Sequence, residues 1–205
     1  MPKKERLPET DAIGNKSARL FQITIGSFRV VHPFTLPQVS LDIVGALEKM
    51  TAKTYGTVSP ELQKAMSGLE FVSGLVTGAL PLNTFAKTLG YDVVAAESGR
   101  VAITLNPTGA HLNPWGTVHG GLTATLLDSC MGLAIQSMLD KGTGSTTLEF
   151  KVSLVRAITL ETGRIRAEGK VLNCGRRVST AEGRVTDAKG RLLAHGTTTC
   201  LIIPS

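Results

Sequence analysis

Residues 113–129 read NPWGTVHGGLTATLLDS: a histidine and two adjacent glycines precede a run of helix formers that holds one carboxylate, Asp128. From Gly121 to about Leu139, leucine, alanine, methionine and cysteine stand on nearly every side, and strand punctuation is absent. This predicts a helix that other elements must cover. The chain that follows can supply the cover. TTLEFKVSLV (146–155) alternates with period two, and GRIRAEGKVL (163–172), RRVSTAEGRVTD (176–187) and RLLAHGTTTCLII (191–203) read as further strands, with a turn at Asp187 to Gly190. Ahead of the helix, YDVVAAESGRVAITL (91–105) predicts a hairpin turning at Glu97 to Gly99. Two strands, one apolar helix and four strands make an α+β fold: an antiparallel sheet wrapped around one long central helix. A doubly wound parallel sheet needs helices between its strands, and the second half offers none.

Upstream, residues 1–60 are expected to form an N-terminal extension and 61–205 the folded domain. Residues 1–18 are polar and charged without apolar periodicity and predict a mobile arm, ARLFQITIGSFRVV (18–31) predicts a short strand, and LDIVGALEKM (41–50) predicts a helix. SPELQKAMSGLEFVSGLVTG (59–78) also carries helical spacing, with Ser59 as N-cap and Pro60 in the first helical position. At 205 residues there is room for one domain plus this extension. Three cysteines without C-x-x-C spacing suit neither a disulfide framework nor a zinc site, which points to a reducing, cytoplasmic setting. No apolar run reaches the roughly 18 residues of a membrane span. The net charge of +6 suits nucleic acid, an acidic surface or an anionic small molecule. With aromatic residues at 4%, stacking platforms for nucleic acid are not expected.

Gly120 and Gly121 stand where the helix begins. There, bare Cα atoms let backbone N–H groups approach a ligand, and the helix dipole favours negative charge, as in an oxyanion hole or a phosphate site; close packing at a helix start needs the same glycines. Asp128, set among Leu126, Leu127, Cys130 and Met131, must be paired or employed, because an isolated buried carboxylate costs several kcal/mol. Eight helical residues rise about 12 Å. Gly120 and Asp128 of one chain therefore cannot both touch one small reacting group. If both act on a single carbonyl, the second comes from another copy across a two-fold axis.

The run NPWGTVHGGLTATLLD, with LNP, TTLEFKVSLVR, GRRV and DAKGRLLAHGTTTC beyond it, resembles the hot-dog-fold acyl-CoA thioesterases of the phenylacetic-acid-degradation (PaaI) type, over roughly Gly68 to Ile203. The resemblance implies hydrolysis of aryl- or medium-chain acyl-CoA to free acid and CoA. It implies that Gly120 donates its N–H to the thioester carbonyl and that Asn113 positions thioester and water. Asp128 of the partner subunit then acts as base or nucleophile, and a strand hydroxyl, best matched by Thr147 with Thr146 on the opposite face, binds the water. His119 and Gly121 would shape the substrate entrance. Gly175, Arg176 and Arg177 at a hairpin tip are candidates for the CoA phosphates, where guanidinium geometry suits the charge, with Arg156 a weaker one. A homodimer, assembling to a homotetramer, is expected, with no cofactor beyond the CoA of the substrate, no metal, no nucleic acid and no membrane.

Trp115 is expected either to line the mouth of the acyl pocket or to cap the core, and Cys130 to pack in it. Ser129 lacks the G-x-S-x-G context of a nucleophile, and His111, His119 and Asp128 lack the spacing of metal ligands. Two other readings use the same cleft. A hot-dog dehydratase acting on 3-hydroxyacyl thioesters would depend on His119 with an acid, and a non-catalytic module would bind acyl-CoA or an aromatic ligand without turnover.

Overall fold

The apolar stretch after His119 forms helix α4 (Gly120–Gln136), and everything else is arranged around it. The computed structural model describes residues 53–204; the arm, the strand over 18–31 and the helix over 41–50 lie outside the described residues. Three short helices, α1 (Pro60–Lys64), α2 (Gly68–Thr77) and α3 (Thr84–Leu89), precede the hairpin of β1 (Tyr91–Glu97) and β2 (Arg100–Leu105). After α4 come β3 (Gly144–Leu154), β4 (Ile165–Cys174), β5 (Val178–Thr186) and β6 (Leu192–Ile203). The six strands form one antiparallel sheet in the order β1-β2-β4-β5-β6-β3. The chain leaves β2, runs through α4 to the far edge, and returns to place β4 beside β2, so the helix lies across the sheet.

Leu126, Leu127, Met131 and Ile135 of α4 share one core with Ile103 and Ile165 of the sheet, all essentially inaccessible. The sheet does not enclose the helix on every side, as the all-round apolar pattern predicts. Asp128, Ser129, Gly132, Leu133 and Gln136 form a half-buried stripe that faces away from the deepest packing. Helix and sheet approach closely at Gly169 of β4, where a Cβ would lie 2.3 Å from the Cys130 carbonyl oxygen. Gly169→Ala is therefore expected to lower stability by about 1–3 kcal/mol through forced backbone separation, read as a lower urea midpoint at unchanged slope.

The helical stretch over 59–78 divides into two helices. Ser59 caps the first, accepting from Leu62 N–H. Ser67 caps the second in a capping box: Glu70 N–H donates to Ser67 Oγ at 3.3 Å, and Ser67 N–H donates to Glu70 Oε2 at 2.8 Å. The break sets α2 against the end of α4, with Gly68 N–H donating to Leu139 O at 2.9 Å. Of the extension expected over 1–60, residues 53–60 are described. Lys53 pairs with Asp92 of β1 and donates to Val93 O, and Gly56 N–H donates to Leu82 O.

Strand β3 departs from strict period two. A bulge between Thr147 and Glu149 inserts Leu148, so Thr147, opposite Cys200, and Phe150, opposite Thr198, both fall on the side of β6's buried residues. Among the described residues, no helix is long and apolar enough to cross a membrane.

Candidate active site

The α4 N-terminus is prepared by the loop before it. Asn113 folds that loop on itself: its Oδ1 accepts from Trp115 N–H (3.0 Å) and Thr117 N–H (3.2 Å), and its Nδ2 donates to Thr117 Oγ1 (2.8 Å). One N–H of the Asn113 amide remains for a ligand. Gly116, at φ +78°, completes the reversal. Trp115 is carried at the loop tip, 86% exposed, which removes the expectation that it caps the core.

His119 caps the helix through its ring, with Nδ1 accepting from Gly121 N–H at 3.0 Å. A ring that accepts at Nδ1 carries its proton at Nε2, and in this arrangement His119 works as a helix cap. The Gly121 amide is thereby engaged. Gly120 N–H takes no partner among the described residues and is the donor left at the first turn. A Cβ on Gly120 would come 2.8 Å from Leu154 Cδ1, so a bare Cα suits the contact with the end of β3. Asn113 and Gly120 line a cleft of about 210 Å³ together with Arg156. The sequence ranks Arg156 below the hairpin arginines, yet Arg156 is the one that borders the Gly120 cleft.

Asp128 opens on a different hollow. Its Oδ1 accepts from Thr147 Oγ1 at 2.9 Å, which distinguishes Thr147 from Thr146, whose side is exposed. The pair lines a cavity of about 590 Å³. Cys200 lies beside it, its Sγ 3.8 Å from Thr147 Oγ1. Burial pushes the Cys200 thiol up against the opposing hydroxyls of Thr147 and Thr198, and the Asp128 charge pushes the same way. Burial also raises the Cys130 thiol, strongly, and a thiol so disfavoured as thiolate packs the core and does not attack.

The structure thus gathers the expected site residues into two groups: Asn113 and Gly120 at the helix start, Asp128 and Thr147 eight residues on. Gly175, Arg176 and Arg177 stand apart at the β4–β5 hairpin, lining neither hollow. Gly175 has a local reason to be glycine, since a Cβ there would meet Val178 O at 2.8 Å. The far wall of the larger cavity comes from residues that the sequence did not flag, including Met66, Phe71 and Tyr91. The signal available for Met66 and Phe71 was the apolar face of the 59–78 stretch, and for Tyr91 the alternation of the hairpin that it opens.

Comparison with known proteins agrees with this architecture. Residues 116–194 match the family model of the thioesterase superfamily. Human acyl-coenzyme A thioesterase 13 is 28% identical over 118 residues, covering 55% of this chain and 80% of that protein. A phenylacetic acid degradation-related protein of Ralstonia eutropha superposes with a TM-score of 0.58 at 28% identity, over 64% of this chain and 98% of the other. A Streptococcus mutans protein solved with acetyl CoA bound superposes at 0.52 with 27% identity, over 56% of this chain and 90% of the other. With its antiparallel sheet laid over a single long helix, the chain has the hot-dog fold, and residues 116–194 carry a thioesterase-superfamily domain.

Proposed function

We propose that this protein hydrolyses acyl-CoA thioesters as a homodimer of the PaaI type, with each active site shared between two protomers. The observation that carries the proposal is the separation of Gly120 from Asp128: they line different hollows of one protomer, yet they are the donor and the carboxylate that thioester hydrolysis requires. Strand β3 supports a specific way of joining them. It is an edge strand of 11 residues, and Leu148, Phe150 and Leu154 on it are 57%, 41% and 58% exposed. Long apolar edges of this kind are normally covered. One end of β3 touches Gly120 through Leu154, and the other touches Asp128 through Thr147. Pairing β3 with its own copy about a two-fold axis near Phe150 exchanges these ends, bringing the Gly120 of one protomer to the Asp128 of the other.

In such a site the carbonyl oxygen accepts from Gly120 N–H, with the remaining N–H of Asn113 nearby. Water held by Thr147 loses its proton to Asp128 as its oxygen bonds the carbonyl carbon. The tetrahedral oxyanion, met by the Gly120 amide, collapses and breaks the C–S bond. The CoA thiolate takes the proton back, leaving free acid and CoA thiol. Direct attack by Asp128 gives a mixed anhydride that water then cleaves, with the same overall balance. No cofactor enters either route. Arg156, bordering the Gly120 cleft, and Arg176 and Arg177 are the cations offered to the CoA phosphates. The catalytic domain is taken as 61–205, acting in the cytoplasm.

The test is thiol release from a panel of aryl- and acyl-CoAs, trapped colorimetrically. Turnover of at least one thioester is expected. Wild-type turnover no faster than that of Asp128→Asn on every substrate, with tight CoA-ester binding retained, would instead establish a binding module. An enoyl thioester formed from a 3-hydroxyacyl-CoA without free thiol would establish a dehydratase.

A further inference from the structure

Strand β3 has β6 on one side and no strand on the other among the described residues. Past its bulge the faces alternate regularly. Glu149, Lys151 and Ser153 stand opposite Thr199, Thr197 and His195, while Phe150, Val152 and Leu154 stand opposite the buried Thr198, Gly196 and Ala194. Glu149 and Lys151 therefore share the outer face of the sheet, and Phe150 lies between them on the face that carries α4. Both charged residues are exposed, and Thr199 Oγ1 donates to Glu149 Oε1 at 2.7 Å, which holds that carboxylate on the outer face. Among the described residues neither Glu149 nor Lys151 enters an ion pair.

An antiparallel self-pair has its two-fold axis normal to the sheet, and residues directly opposed across it point to the same face. The axis then passes through a residue, not between two. With the axis at Phe150, the two Phe150 rings oppose each other and Glu149 of each protomer opposes the partner's Lys151, so two opposite-charge pairs flank one aromatic pair. Moving the axis to 149 sets Glu149 against its own copy, and moving it to 151 sets Lys151 against its own copy. Like charges directly opposed destabilise a pair. Each such move also slides the strands by two residues, about 7 Å, and carries Gly120 of one protomer equally far past the partner's Asp128. We infer that Glu149 and Lys151 form a reciprocal charge code on β3 that selects a second copy of this chain and locks the self-pair with Phe150 on the axis. The inference rests on the shared-site reading, which it deepens by naming the residues that choose the partner and fix the register.

A cysteine on a two-fold axis meets its own copy, whereas one residue off the axis the two Cα atoms stand roughly 8 Å apart, beyond disulfide reach. Phe150→Cys, Glu149→Cys and Lys151→Cys are made singly in the full chain carrying Cys174→Ser, because Cys174 is exposed while Cys130 and Cys200 are buried. After oxidation with glutathione disulfide, Phe150→Cys is expected to give at least tenfold more covalent dimer than either neighbour. Crosslinking mainly through Glu149→Cys or Lys151→Cys overturns the register and leaves β3 self-pairing standing. No crosslink at any of the three overturns the self-pairing, and the shared site with it. Sedimentation equilibrium tests the charges. Glu149→Lys and Lys151→Glu should each raise the dimer dissociation constant at least tenfold at low salt, and the double variant should return it to within threefold of wild type. Mixing the two single variants should yield a mixed dimer, in which both cross-axis pairs again join opposite charges. Single variants that associate as wild type does overturn the charge code. Both measurements read association, so an absence of thioester turnover falls on the thioesterase reading alone.

Discussion

Asp128→Asn is expected to lower kcat for acyl-CoA hydrolysis by about 10²- to 10⁴-fold, the range over which a positioned base acts, with KM changed little. The substitution preserves volume, and the amide it introduces can still meet Thr147 Oγ1, so the half-buried stripe of α4 keeps its packing. What is lost is the charge that, in the proposed mechanism, takes the proton from water. Thr147→Val removes the hydroxyl that orients the carboxylate and should cost about tenfold, close to the value of one hydrogen bond to a charged group. The size order separates the roles: a carboxylate that merely satisfies the core would give equal effects for both, seen mainly as lower stability. Thiol-release kinetics, with urea unfolding of each variant alongside, make the comparison. Equal rates for wild type and Asp128→Asn would remove Asp128 from the chemistry.

The same residues show how far the sequence could be read. The pattern around 119–139 specified α4 because its side chains favour helix and its apolar faces require burial, and the strands after it follow from alternation and turn chemistry. Residue faces past 147 were not legible, since the bulge at Leu148 shifts the phase of β3 and such a bulge leaves no compositional mark. The division of 59–78 into α1 and α2 was legible in principle. The S-x-x-E spacing of Ser67 and Glu70 is a capping-box pattern, but the continuous apolar periodicity across it masks the break. Helix α3, announced by Asn83 as its cap, is too short for periodicity to register. At the site, Asp128 and Gly120 declared themselves by being costly where they stand. Met66, Phe71 and Tyr91 did not, because an apolar residue lining a cavity has the same local sequence as one filling a core. The His119 ring capping its own helix through Nδ1 was equally hidden, since histidine ranks low among capping residues.

Activity restored by mixing two inactive variants is the second large effect expected. Gly120→Pro deletes the amide proton and little else: proline is favoured at the first helical position, and His119, at φ −59° and ψ 132°, already has the extended conformation a residue before proline prefers. A Cβ at this position meets only the flexible end of Leu154. Removing one oxyanion donor typically costs about 10²- to 10³-fold, so each homodimer, Gly120→Pro or Asp128→Asn, is nearly silent. In a mixed dimer the two lesions fall in one shared site, and the other site combines an intact Gly120 with an intact Asp128. Random mixing makes half of the dimers mixed, each with one working site of two, so about a quarter of wild-type activity should return. Co-expression with two affinity tags, followed by thiol release on the doubly purified dimer, measures this directly and should give about half of wild type. If Gly120 and Asp128 of the same protomer served one thioester, the mixed dimer would hold one site without its amide and one without its carboxylate. Its activity would then stay at the level of the parents, however well both chains fold and associate.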